Sequence, residues 1–183
     1  MKLKILFFSL TLLLLPTLVK ADSFIDALTV DIGYGHAFPL GGTQNGNLRN
    51  VEFVSMNIFL EKHLVEIDNF YFIGGIGSSQ YDFNNPEGYG IIPSLEVKIT
   101  YPISYIMPFL ITRVGSGYVN VDNKWKGQDD GFIFLLRPSV GFRVMNIFEI
   151  YYSLNHLSNA GLQKHNDGIN SNEFSFSLEF PLD

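Results

Sequence analysis

Cysteine is absent from the 183 residues of this chain, which excludes disulfides and thiolate metal sites alike. Cationic side chains are scarce as well. The 12 Lys and Arg stand against 18 Asp and Glu, and a net charge of −6 argues against nucleic acid as a partner. Beyond residue 21 no stretch approaches twenty consecutive apolar residues, so no later segment can cross a bilayer as a helix. Any crossing there must be made by strands.

Apolar residues are nevertheless plentiful, with 15% aromatics. Met1-Lys2-Leu3-Lys4 precedes an apolar run from Ile5 to Val19, and Val19-Lys20-Ala21 places small residues where a signal peptidase reads. This predicts a signal peptide over 1–21, and not a retained anchor, because the run is short for a spanning helix and Pro16 interrupts it. No cysteine follows to accept a lipid. The remaining segment, 22–183, is about 160 residues, enough for one domain.

Eight strands are expected in that domain, near 24–37, 48–61, 69–83, 88–102, 105–119, 131–145, 147–160 and 171–182. Phe132, Phe134, Leu136, Pro138, Val140, Phe142 and Val144 share one face of the sixth, with Arg137, Ser139, Gly141 and Arg143 on the other. In the last, Phe174, Phe176, Leu178 and Phe180 alternate with Ser175, Ser177 and Glu179. In the fourth, Leu95, Val97, Ile99 and Tyr101 alternate with Glu96 and Lys98. Burying Glu96, Lys98, Arg137, Arg143 and Glu149 unpaired in a soluble core would cost several kcal/mol per ion. A closed barrel with its greasy face toward lipid lets them pair inside. The fold expected is an eight-stranded antiparallel transmembrane β-barrel of the outer membrane. Gly74, Gly75, Gly77, Gly115 and Gly117 blur the alternation of the third and fifth strands and mark bulges or close packing. Connections near 38–47, 83–88, 120–130 and 161–170 read as long or polar. Those near 102–104 and 145–146 read as tight, and the one near 62–68 as intermediate. With the N-terminus periplasmic, the seventh strand then ends at the outer surface.

The chemistry-bearing residues cluster at that end. His156 and Ser158 are two apart, so on a strand they project from one face as a base and a nucleophile. Asn159 and Gly161 follow, an amide and an unobstructed backbone N–H of the kind that holds a developing oxyanion. His156 and Ser158 share parity with Ile150, Tyr152 and Leu154, which puts them on the lipid-facing side. The plain alternative is two polar residues at the interfacial rim of a strand.

The run His156-Leu157-Ser158-Asn159-Ala160-Gly161, followed by Asn166-Asp167-Gly168-Ile169, resembles the active-site segment of the PagL-type lipid A 3-O-deacylases. The resemblance implies an outer-membrane serine esterase that removes the ester-linked 3-hydroxyacyl chain of lipid A at the outer leaflet, without a cofactor. It further implies Ser158 as nucleophile, His156 as general base, and Asn159 with the Gly161 N–H as oxyanion donors. The family's orienting Glu corresponds here to Asn170, which shares the outward parity of Phe174 and Phe176. An amide can fix a tautomer but cannot stabilise imidazolium by charge, so weak or absent turnover is expected unless another carboxylate serves. Glu173 has inward parity, and Asp167 sits in a turn-forming Asn-Asp-Gly run; both are read as bystanders.

His36, His63 and His165 lack neighbours at metal-ligand spacing and are read as surface or loop histidines. Trp125, between Lys124 and Lys126, either meets lipid headgroups or belongs to a solvated loop. Two rival functions share the architecture: a catalytically silent barrel kept for structure or lipid binding, and a small porin-like or adhesive barrel.

Overall fold

The computed structural model describes residues 24–37, 51–84, 87–103, 105–121, 130–145, 147–162 and 168–182. The signal-peptide segment, Trp125 with its flanking lysines, His165 and Asp167 lie outside them. Eight strands follow in order: β1 (Ala27–Ala37), β2 (Glu52–Ile67), β3 (Phe70–Asn84), β4 (Glu87–Thr100), β5 (Ile106–Val121), β6 (Gly131–Val144), β7 (Phe148–Ser158) and β8 (Ile169–Pro181). Each pairs antiparallel with its sequence neighbour, and β1 pairs with β8, so the sheet closes into a barrel without an edge.

The alternation in the sequence becomes an inside-out distribution of polarity. Phe132, Phe134, Leu136, Val140 and Phe142 on β6, and Phe174, Phe176, Leu178 and Phe180 on β8, are exposed on the outer wall. Arg137, Ser139, Arg143, Ser175 and Ser177 are buried within it. Exposed Tyr34, Tyr89, Tyr118, Phe132 and Phe134 gather toward one end of the wall, and Phe70, Tyr101, Tyr105, Phe148 and Phe180 toward the other. Two aromatic girdles on an apolar wall suit a protein whose outer solvent is lipid.

Inside, the ions pair as the barrel reading requires. Lys98 Nζ lies 2.8 Å from Glu61 and 3.0 Å from Glu149. Arg113 donates to Glu96 at 2.5 Å, Asp31 at 3.0 Å and the Tyr151 hydroxyl at 3.1 Å. Arg137 donates to Glu173 at 2.7 Å and Asn57 at 3.0 Å. Arg143 bonds Glu149 at 2.7 Å and also Glu179. Dividing each cation between partners keeps any of these charges from being stranded in a low-dielectric interior.

The interior is not polar throughout. At the end carrying the β1–β2, β3–β4, β5–β6 and β7–β8 connections, Ala37, Val51, Phe53, Tyr81, Phe83, Ile92, Val119, Ile133, Leu135, Leu157 and Ile169 form a buried apolar cluster. It closes that end of the lumen beneath the strand tips.

Two expected connections differ. The segment near 62–68 continues β2, which runs to Ile67 through a bulge between His63 and Val65. Asp68 and Asn69, with φ of 50° and 67°, then turn the chain in two residues, the left-handed pair a tight hairpin demands. The expected long or polar link near 83–88 is also short, because Asn84 already pairs with Glu87. The glycines of β3 and β5 reflect close approach: a Cβ at Gly77 would fall 2.0 Å from the Ile58 carbonyl oxygen, and one at Gly117 2.1 Å from that of Ile91. The longer connections, 38–51, 122–130 and 159–168, all leave from the end capped by the apolar cluster, which marks it as the extracellular side.

Candidate active site on the outer wall

The site is built where β7 ends. Leu157 points inward into the apolar cap beside Leu135 and Ile169, while Asn155 donates to Glu173 at 3.0 Å inside the lumen. With both odd positions anchored, His156 and Ser158 must face outward. His156 is exposed and Ser158 half-buried. On β6, Leu136 stands opposite His156 and Phe134 opposite Ser158, so apolar side chains border the pair.

Asn170 on β8 is the direct cross-strand partner of His156, and His156 Nδ1 lies 2.7 Å from Asn170 Oδ1. A carbonyl oxygen only accepts, so Nδ1 carries the proton and the lone pair belongs to Nε2. That is the tautomer a general base needs. Gly168 backs the same ring: its φ is +67°, and a Cβ there would stand 3.2 Å from His156 Cε1. The glycine of the Asn-Asp-Gly run thus serves the turn and also makes room for the imidazole.

After Ser158 the chain reverses sharply. The Leu162 N–H donates to the Asn159 carbonyl at 3.0 Å, with φ of 52° at Ala160 and 78° at Gly161, the pattern of a type I′ turn. Holding a non-glycine residue such as Ala160 there costs about 1 kcal/mol. The Ala160 N–H donates to Ser158 Oγ at 3.2 Å, a contact between a serine and the second residue after it. Residue spacing along the strand gives no sign of that donor, because it arises only from the turn. The structure brings Asn159 and Gly161 together, with the Gly161 N–H donating to Asn159 Oδ1 at 3.0 Å. Asn159 itself is buried, on the face opposite Ser158, where it braces the turn.

The two bystander carboxylates part company. Glu173 faces the lumen, bonded to Arg137, Asn155 and Ser55, and does not reach the outward His156. Asp167 falls outside the described residues. His36 stands at the outer end of β1, and His63 rests against Tyr71 with ring centroids 5.3 Å apart. Among the described residues no group of His, Asp and Glu is placed to hold a metal ion.

Taken together, these features define an eight-stranded outer-membrane β-barrel with a His-Ser pair on its lipid-facing wall. The fold matches the crystal structure of the outer membrane enzyme PagL with a TM-score of 0.67 at 17% identity, covering 81% of this chain and 97% of that one. It also matches Neisserial surface protein A (TM-score 0.53, 15% identity, 84% and 94% covered) and the N-terminal barrel domain of Pseudomonas aeruginosa OprF (TM-score 0.50, 12% identity, 85% and 98% covered). No curated protein sequence matches the chain. The family model described as lipid A 3-O-deacylase (PagL) matches residues 50–179, and the chain belongs to that family.

Proposed function

We propose that the protein is a serine esterase that hydrolyses the ester-linked 3-hydroxyacyl chain of lipid A in the outer leaflet, after export by a leader spanning residues 1–21. The observation that carries this reading is the 2.7 Å contact between His156 Nδ1 and Asn170 Oδ1. It leaves Nε2 basic on the face that Ser158 shares.

Ser158 Oγ attacks the acyl carbonyl as His156 Nε2 takes its proton. The negative charge that develops on the carbonyl oxygen is met by the Gly161 N–H once it turns from the Asn159 Oδ1 to which it donates at rest, while the Ala160 N–H steadies Oγ. Collapse of the tetrahedral intermediate expels the sugar alkoxide, which takes the proton from His156. Water then attacks the acyl-serine with His156 again as base, releasing the 3-hydroxy fatty acid and regenerating Ser158. Phe134 and Leu136 border the pair with apolar surface suited to an acyl chain that stays in the bilayer. Because Asn170 carries no charge to stabilise the imidazolium, turnover is slow beside a site with an acid at that position.

The test is mass spectrometry of lipid A from outer-membrane-bearing cells with and without the protein. Loss of one 3-hydroxyacyl group, absent with Ser158→Ala, is the expected result. Unchanged lipid A on full expression of a folded barrel would overturn the reading.

A further inference from the structure

One stretch of the lipid-facing wall breaks the apolar pattern. His36, on β1, is paired with Glu52 on β2 and with Asn172 on β8. Tyr34, the preceding outward residue of β1, is paired with Val54 and so stands diagonally across from Glu52 on the same outward face. Asn172 also pairs with Leu154 on β7, and along β8 it is the outward neighbour of Asn170. These four polar side chains form a strip that starts beside His156 and crosses β8, β1 and β2. Their inward neighbours Ala37, Phe53, Ser171 and Glu173 are buried in the lumen, so the outward facing of the strip is set by the barrel itself.

The strip's chemistry selects among the parts of an amphiphile's headgroup. A phosphate calls for cations, and Glu52 opposes one. Of the described Lys and Arg residues, Lys98, Arg113, Arg137 and Arg143 are buried inside the barrel, and Lys62 pairs with Asp26 at the opposite end. A phenol, an imidazole, a carboxamide and a carboxylate together offer both donors and acceptors, which suits groups that both donate and accept, as sugar hydroxyls do. Adjacent strands lie about 4.8 Å apart, so β1 is about 10 Å from β7, roughly the span of one or two sugar rings.

We propose that Tyr34, His36, Glu52 and Asn172 form a saccharide subsite that holds the uncharged hydroxyl face of a glycolipid headgroup while its ester reaches Ser158. The placement of the ester rests on the esterase reading above; the sugar preference of the strip does not.

Binding is measured with the full mature chain in detergent micelles, using a phosphate-free glucosamine lipid with two ether-linked chains and a glycerol diether with the same chains. The parent is expected to bind the sugar lipid about tenfold more tightly. His36→Ala and Asn172→Ala should each reduce that preference by about threefold to tenfold, as for the loss of a neutral hydrogen bond. A heat-dependent gel shift verifies folding, and His36→Leu, which suits a lipid-facing wall, serves if the alanine variant fails it. Equal binding of both lipids by the parent overturns the proposal, as does an unchanged preference in the folded double variant. Tighter binding of a phosphorylated sugar lipid that survives the double substitution also overturns it. Hydrolysis of the ester-linked lipid is read in parallel: preference without hydrolysis defeats the esterase reading and leaves the subsite standing, and hydrolysis without preference does the reverse.

Discussion

His156 and Asn170 face each other across β7 and β8, with Nδ1 and Oδ1 2.7 Å apart. An amide oxygen thus occupies the place where, in the mechanism proposed above, a charged acid would steady the imidazolium formed as Ser158 loses its proton. Asn170→Asp is isosteric and retains the contact, and Asn170→Glu extends it by one methylene. Either should raise kcat by about tenfold or more, because a carboxylate favours the protonated ring that forms in the transition state. KM should move little. Asn170→Ala, which releases the tautomer, should lower kcat. The measurement is 3-hydroxy fatty acid release from lipid A in bilayers; rates indifferent to all three changes would remove Asn170 from the site.

Ser158→Ala and His156→Ala should each bring that release to background while leaving the heat-dependent gel shift intact. Both side chains are on the outer wall and take no part in the lumenal ion pairs. Residual activity in Ser158→Ala at parental rates would exclude it as nucleophile.

Gly168 offers a finer test. Its φ of +67° and the 3.2 Å that would separate an added Cβ from His156 Cε1 make two separate demands, on the backbone and on space. Gly168→Asn tolerates the left-handed conformation but still carries a Cβ. If ring placement is what matters, Gly168→Asn and Gly168→Ala should both lower kcat by about tenfold to a hundredfold. If only backbone freedom matters, Gly168→Asn should behave like the parent.

The lumen yields a stability prediction. Arg137→Met leaves Glu173 without its 2.7 Å cation and should cost about 3–5 kcal/mol, read from urea unfolding in micelles. Adding Glu173→Gln should recover much of that loss, since the stranded charge is removed. A double variant no more stable than Arg137→Met would mean that the cost lies in packing and not in charge.

The barrel was legible because side chains alternate with period two along a strand, and a bilayer outside makes the apolar parity unmistakable, as in Phe132 to Val144 and Phe174 to Phe180. The same rule placed His156 and Ser158 on one outward face and turned Glu173 inward. It failed where both parities are apolar: Ile133 and Leu135 on β6 sit among greasy neighbours, and only closure of the barrel revealed the cap they form with Phe53, Tyr81 and Leu157. Periodicity also could not show that β2 continues to Ile67, because the bulge between His63 and Val65 shifts its register. The opposition of His156 and Asn170, the buried posture of Asn159, and the juxtaposition of His36 with Asn172 were decided by tertiary structure alone. Parity is a property of one strand, whereas register depends on how two distant strands are joined and on the closure that brings β8 against β1.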